Sequence, residues 1–117
     1  MMVPEWVEPL GQRAVAAPAW QWVSGMMILG GERVFERYAF SPGVEPPAGY
    51  PNLDDPATFG AFVALVRLVR RESIGYVAPV AERGYVWFAN QHCRGQVEAD
   101  TPAECLVKAL ESVNTQP

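Results

Sequence analysis

Residues 53–71, LDDPATFGAFVALVRLVRR, carry the clearest helix start in this 117-residue chain. Asp55 can accept a hydrogen bond from an unpaired amide of the first turn. Pro56 loses nothing at the first helical position, because its missing N–H would have had no partner there. Apolar residues then recur at helical spacing, namely Phe59, Phe62, Val63, Val66 and then Val69 or Arg70. The stretch predicts an amphipathic helix that begins after Asp55 and ends near Glu72, before Gly75.

Residues 101–113, TPAECLVKALESV, predict a second helix of the same kind. Thr101 and Glu104 form a capping box, in which the Thr hydroxyl bonds the amide of Glu104 and the Glu carboxylate reaches back. Pro102 again takes the first helical position. One apolar stripe follows, formed by Ala103, Leu106, Val107, Leu110 and Val113. The two helices bound a core that we place at residues 53–114.

Short strands are predicted between the two helices. Residues 74–80, IGYVAPV, and residues 85–89, YVWFA, are rich in aromatic and β-branched side chains, and a turn at 82–84 separates them. A third strand is predicted at about 92–98, with Gly95 at a bulge or a break. Together with the helices, these strands predict an α+β fold, a small antiparallel sheet with two helices packed on it.

The N-terminal half is richer in proline and is expected to hold less regular structure. Residues 1–19 are predicted to form an irregular N-terminal arm, either packed on the domain or as a disordered tail, because prolines at positions 4, 9 and 18 break any regular element. Residues 20–40 predict a β-hairpin that turns at a Gly-Gly pair, and residues 41–53 predict a proline-rich loop. The expected order is β-β-α-β-β-(β)-α within a single domain of residues 1–117.

The charge balance bears on the class of partner. The chain has 9 Lys and Arg against 13 Asp and Glu, which gives a net charge of −4. Direct nucleic-acid binding is not expected, because it needs cations that displace phosphate counterions. An acidic protein is better suited to a basic protein surface. The N-terminus lacks the pattern of a signal peptide and no apolar run matches a membrane span, so we expect a reduced cytoplasmic setting and no membrane association.

Residues with catalytic or metal-binding potential are few. His92 and Cys93 are neighbours, but adjacent strand residues point to opposite faces, so His92 cannot activate Cys93 directly. One His with two distant cysteines, Cys93 and Cys105, does not supply the three or four ligands of a metal site. Asp55 is explained by helix capping, with Asp54 as a second anion at the helix dipole. We therefore predict a protein that is not an enzyme and that uses no metal or cofactor.

Aromatic side chains exceed what a two-layer domain of this size can bury. We predict that partner binding uses Trp20, Trp22, Phe35, Tyr38, Tyr50, Tyr85 and Trp87, since aromatic residues are enriched at interface centres. Core filling, self-association into a homodimer and stacking on a base are the alternatives. Arg67, Arg70 and Arg71 form a basic edge, either as a solvated helix face or as a site for an anion or nucleotide phosphate.

The same motifs resemble the phage ABA sandwich domain of small tailed-phage proteins, over about half of the chain. The resembling segments are residues 55–58, 84–88 and 101–110. The resemblance implies a phage or prophage accessory protein in the host cytoplasm, with no catalytic residues to carry over. By analogy with other small acidic phage proteins, it implies an inhibitor of a host defence system, such as an anti-CRISPR protein, that acts by binding a protein. The alternatives are a small-molecule binder, such as a sponge for signalling nucleotides, and a cysteine-dependent enzyme.

Overall fold

The computed structural model describes residues 3–31, 33, 49–72, 74–80, 84–89 and 97–113. Within these residues it has three helices and one sheet. In chain order the elements are α1 Val7–Ala16, α2 Pro56–Arg70, β1 Gly75–Val80, β2 Gly84–Ala89, β3 Val97–Ala99 and α3 Pro102–Glu111. The fold is α+β with a small antiparallel sheet packed with helices, as predicted, and it has one helix more than expected.

The sheet has the order β1-β2-β3, and both pairings are antiparallel. Directly opposed residues share a face, so Val77, Trp87 and Val97 lie side by side on the face that meets the core. The other face carries Tyr76 opposite Phe88, with ring centroids 5.4 Å apart. The two faces thus differ, since in the described residues only the first contributes side chains to the core cluster.

Helix α2 begins as the sequence predicts. The Asp55 carboxylate accepts a hydrogen bond from the Thr58 amide at 2.9 Å, which confirms the N-cap. The helix ends at Arg71, whose left-handed backbone (φ 58°) closes the last turn. Phe62, with Leu65 and Val66, is buried in the core, as expected from the apolar spacing.

Helix α3 is the central element, because α1, α2 and the sheet all pack on it. Its predicted cap is confirmed, since the Thr101 hydroxyl accepts from the Glu104 amide at 3.2 Å. The Glu104 carboxylate turns to Lys108 Nζ at 3.4 Å, where the capping box predicted a contact back to the cap. Burial is wider than one stripe, because neighbours cover α3 on several sides. The buried residues are Ala103, Cys105, Leu106, Val107, Ala109 and Leu110.

The prediction of an irregular N-terminal arm is wrong for residues 7–16, which form α1. Pro9 is the third residue of this helix, where a backbone amide has no partner four residues earlier, so the proline removes no hydrogen bond. Val7, Leu10 and Ala14 are buried on the side that faces α3. The prolines therefore flank or start a helix here and do not interrupt it.

The predicted strand at 20–29 is also wrong. Residues 20–31 and 33 contribute only isolated bridges, from Met27 to Arg33 and from Ile28 to Pro51. The Met27 amide donates to the Thr58 hydroxyl at 2.7 Å, so the start of α2 satisfies this backbone where a strand partner was expected. Residues 34–40, the second half of the predicted hairpin, lie outside the described residues.

The described residues include only part of the other predicted strands and of the predicted loop. The strands predicted at 74–80 and 85–89 are confirmed as β1 and β2 within one residue. Of the third strand, predicted at about 92–98, the described part is strand β3, Val97–Ala99, and residues 92–96 lie outside the described residues. The same holds for the loop at 41–53, where only residues 49–53 are described and Leu53 is buried.

Among the described residues, no helix combines the length and the apolar character that crossing a bilayer requires.

Candidate functional site: an open aromatic cleft

An open cleft of about 720 Å³ lies where the starts of the three helices meet the sheet. We call it the aromatic cleft, after the four rings of Trp6, Phe59, Tyr76 and Tyr85. The other described lining residues are Leu53, Asp54, Pro56, Val63, Val77, Thr101, Pro102 and Ala103. Its lining is mostly apolar and its mouth opens to solvent. Apolar clefts with a few polar groups are the sites that bind ligands or partner side chains.

Four separate segments place the rings around the cleft. Trp6 stands directly before α1, and Phe59 lies in the first turn of α2 with Val63 one turn later on the same side. Tyr76 lies on β1, which is one edge strand of the described sheet, and Tyr85 lies on β2. Trp6 and Tyr76 are 42% and 44% exposed. These two residues are the most exposed rings of the lining, and Tyr76 lies at the sheet edge with its ring toward Phe88 on the other face, while the half-buried side chains form the floor.

The start of α2 offers little to an anionic ligand. Pro56 has no N–H, and the amides of Thr58 and Phe59 donate to the side chain and the carbonyl of Asp55. Phosphate sites at helix N-termini depend on free backbone amides and on the helix dipole. At this end most of the donors are already used, and Asp54 lies in the lining as a carboxylate that repels anions.

The start of α3 repeats the arrangement. Pro102 has no N–H, and the amides of Glu104 and Cys105 donate to the hydroxyl and the carbonyl of Thr101. The starts of α2 and α3 are therefore capped by their own Asp55 and Thr101, whereas the start of α1 has no side-chain cap. The cleft is suited to apolar contact more than to phosphate binding.

The polar groups near the rim are acidic. Asp54 is exposed and lines the cleft, and two further exposed carboxylates are one residue away from the lining, Glu5 beside Trp6 and Asp100 beside Thr101. Within the part of the lining that the structure describes, there is no Lys or Arg. The rim thus carries negative charge around an apolar floor.

Asp55 has a structural role next to the cleft. Its carboxylate is 3.1 Å from Nη1 of Arg33, which also donates to the carbonyl of Gly25 at 2.6 Å. The hydrogen bond from Arg33, reinforced by those from Thr58, holds the pKa of Asp55 below its usual value against the opposing effect of burial. This ion pair fastens the 25–33 segment to the start of α2.

Three of the predicted partner-binding aromatics lie inside the fold. Trp22 and Trp87 are only 8% and 2% exposed, so their rings pack the core and offer no surface to a partner. Trp20 is half-buried and makes edge-to-face contacts with Trp22 at 5.3 Å and with Phe62 at 5.4 Å. For these three residues the structure favours core filling over partner binding.

The other predicted aromatics are divided. Tyr85 lines the cleft, while Tyr50 is half-buried beside Gly11 of α1. Phe35 and Tyr38 lie outside the described residues. Only Tyr85 of the predicted set is therefore placed in the cleft by the described structure.

The predicted ligand-binding arginines lie toward the C-terminal end of α2, about 6–12 Å along the helix beyond Val63, the last α2 residue of the cleft lining. Arg67 Nε donates to the carbonyl of Gly75 at 2.6 Å, and Arg70 Nε donates to the carboxylate of Glu72 at 2.8 Å. The same carboxylate oxygen accepts the Trp87 indole N–H at 2.8 Å. Arg71 is exposed at the C-cap. Two of these arginines are thus engaged inside the fold, and the cleft is separate from all three.

Trp6, Phe59 and Tyr76 were not among the predicted partner-binding residues. Phe59 was assigned to the core stripe, and it is indeed partly buried against the core cluster, while Trp6 was assigned to an irregular arm. A helical reading of the apolar residues at positions 7, 10, 11 and 14 would have placed Trp6 just before a helix start.

The thiol of Cys105 is fully buried and is 3.6 Å from the carbonyl of Val97. Burial raises its pKa to about 11, so the thiol stays protonated and unreactive near neutral pH. His92 and Cys93 lie outside the described residues. In the described ranges, no three His, Cys, Asp or Glu side chains are grouped as metal ligands.

No family model, curated protein or solved structure matches the chain. The resemblance to the phage ABA sandwich domain stays a prediction from the sequence.

Proposed function

We propose that this protein acts by binding another protein, and that the aromatic cleft is the contact surface. The observation that carries the proposal is the pair of exposed rings, Trp6 and Tyr76, at the mouth of an open apolar cleft. Trp and Tyr are the residue types that most often dominate binding energy at protein interfaces. Large apolar side chains exposed together commonly mark an interaction site.

The energetic scale supports the proposal. Removing the remaining exposed surface of either ring from water buries roughly 90 Å² of apolar area, which corresponds to about 2 kcal/mol per ring. That amount is the threshold at which an interface residue counts as a hot spot. The two rings are thus candidates for hot-spot residues, and the other contacts of the interface must offset the entropy lost on association.

A small-molecule ligand is the second candidate, because the cleft volume of about 720 Å³ falls within the range of ligand pockets. The open mouth favours a protein, since small-molecule sites enclose most of the ligand surface. A signalling nucleotide is the version least favoured by the site, because the described lining has no cation and the starts of α2 and α3 are capped. We also propose that the protein inhibits a host defence system of a phage's host. This part of the proposal rests only on the sequence resemblance to the phage domain.

The proposal is tested by site-specific photo-crosslinking in the cell that carries the gene. A photoreactive amino acid at position 76 should give a discrete adduct with one protein. The same residue at position 68 should not, because Leu68 is 67% exposed but lies outside the cleft. The adduct would be identified by mass spectrometry, and the partner purified.

Titration with the purified partner then gives the energetic test. Trp6→Ala and Tyr76→Ala should each weaken binding by at least about tenfold, while Leu68→Ala should leave it unchanged. Melting curves of the three variants serve as a check that the fold is intact. Equal losses for cleft and control variants, or an adduct that forms equally well at position 68, would rule out the cleft as the binding surface.

A further inference from the structure

The charge around the aromatic cleft identifies the kind of partner segment that it fits. Three exposed carboxylates belong to or adjoin the lining, those of Glu5, Asp54 and Asp100. The three helix starts at the cleft contribute about half a positive charge each. The balance is therefore negative by about one and a half charges, after the helix dipoles are counted.

The described cations of the chain do not neutralise this rim. The salt bridges of the described residues use the carboxylates of Asp55, Glu72, Glu104 and Glu111. Five of the six described cations are engaged with other groups, namely Arg13, Arg33, Arg67, Arg70 and Lys108. The sixth, Arg71, lies at the far end of α2. Within the described residues, no Lys or Arg side chain pairs with the carboxylates of this rim.

We propose that the occupant of the aromatic cleft is a polypeptide segment that combines a large apolar side chain with a nearby Lys or Arg. The inference rests on the proposed function. The apolar side chain packs on the floor formed by Phe59, Val63 and Tyr85, and the cation lies beside Asp54. Arg is the better match of the two cations, because its planar guanidinium can pair with the carboxylate of Asp54 and also stack on the ring of Trp6.

The same charge argues against a second copy of this chain as the occupant. A twofold dimer brings the same patch of both subunits together. Two copies would then face each other with the carboxylates of Asp54 and its neighbours on both sides, in a protein whose net charge is already −4. Like charges at an interface disfavour association.

The experiment uses a displayed library of random peptides selected on the full chain. The recovered peptides should be enriched in Lys or Arg within a few positions of a Leu, Phe or Trp. A synthetic peptide of the enriched type should lose at least about tenfold in affinity for Trp6→Ala and Tyr76→Ala, as expected for cleft binding.

Charge variants then test the role of Asp54. Asp54→Asn should weaken binding about two- to fivefold, as expected for an exposed ion pair. Asp54→Lys should weaken it by about tenfold or more, and a peptide with Glu in place of its Lys should recover affinity for that variant. Glu98→Lys is the matched control, because Glu98 is exposed on β3 and is not part of the described lining. It changes the net charge equally and should leave binding within twofold.

The outcomes separate the inference from the proposed function. Peptides that depend on Trp6 and Tyr76 but lack a cation and ignore Asp54→Lys would overturn the inference and leave the proposed function standing. A selection that yields no peptide dependent on either ring would overturn both. A dimer in sedimentation experiments that dissociates in Tyr76→Ala would identify a second copy as the occupant and would also overturn the inference.

Discussion

At the residue scale, Asp55 is the most connected polar side chain of the described structure. It caps α2 through the Thr58 amide and hydroxyl, and it holds Arg33 of a distant segment. The Thr58 hydroxyl in turn accepts from the Met27 amide. One carboxylate thus fixes both a helix start and the backbone that runs past it. The N-cap could be predicted from the neighbouring residues Asp55 and Pro56. The contact between Asp55 and Arg33 could not be predicted, because these residues are 22 positions apart in the sequence.

Asp55→Ala should lower the free energy of unfolding by about 1–3 kcal/mol, because a cap and charged hydrogen bonds are lost together. The measurement is urea unfolding followed by tryptophan fluorescence. Asp54→Ala is the control, since Asp54 is exposed and not the cap, and it should cost less than about 0.5 kcal/mol. Similar losses for the two variants would contradict the assigned roles.

The pH dependence gives a second readout for Asp55. Its folded pKa is lowered, so its contribution to stability is complete above the ordinary value of 3.8 and is lost as the pH falls below that value through the folded pKa. The stability difference between the parent protein and Asp55→Asn should therefore shrink in acid. A difference that stays constant from pH 6 to pH 2 would show that the ionised carboxylate is not what stabilises the fold.

Two helical glycines allow a matched comparison. A Cβ on Gly11 of α1 would lie 3.0 Å from the carbonyl oxygen of Pro51 and 3.1 Å from Cβ of Tyr50, whereas a Cβ on Gly60 of α2 would meet nothing within 4 Å. Gly60→Ala should raise the free energy of unfolding by about 0.5–1 kcal/mol through helix propensity. Gly11→Ala should lower it, because the close backbone of Pro51 must move. Thermal melting of both variants tests the sign, and stabilisation by both would show that α1 does not pack closely on residues 50–51.

At the element scale, α1 is a helix in a segment for which irregular structure was predicted. Three prolines among residues 1–19 suggested irregular structure, but the position of a proline matters more than its presence. Pro9 falls in the first turn of α1, where its missing amide is harmless. The spacing of Val7, Leu10 and Ala14 is helical, and this signal was available in the sequence.

Packing and ion pairing at α1 can be separated by two substitutions. Leu10 is 8% exposed and belongs to the core cluster, so Leu10→Ala should cost about 2–4 kcal/mol of unfolding free energy. Arg13 pairs with Glu111 of α3 at 2.7 Å, but both side chains are more than one third exposed. Arg13→Ala should therefore cost less than about 1 kcal/mol. Chemical unfolding of both variants gives the comparison, and a larger loss for Arg13→Ala would mean that the ion pair and not apolar packing attaches α1.

At the scale of the whole molecule, the fold was more predictable than the site. Helix starts and strands are encoded by neighbouring residues, so Asp55, Thr101 and the 85–89 strand could be identified from local patterns. The prediction of a strand at 20–29 was wrong, because the aromatic and β-branched residues of this segment pack against helices. Trp22 and Met26 are buried, and no ladder forms in the described part.

The aromatic cleft could not be derived in the same way. Its rings come from four segments that are distant in the sequence, and which ring is exposed depends on how those segments pack. Trp87 and Tyr76 illustrate the difference. Both are aromatic residues in strands, but Trp87 faces the core and Tyr76 lies on the other face of the edge strand. Sequence composition predicted a surplus of aromatic residues and could not assign the surplus to particular positions.

The positions of the tryptophans allow intrinsic fluorescence to report on the cleft. Of the four indoles, Trp6 is 42% exposed on the rim, Trp20 is half-buried and Trp22 and Trp87 lie in the core. A water-soluble cationic quencher such as caesium should therefore quench mainly the emission of Trp6, because the carboxylates of the rim attract cations. Whatever fills the cleft must shield that indole, so occupancy can be followed by the loss of caesium quenching, without a label and before the occupant has been identified.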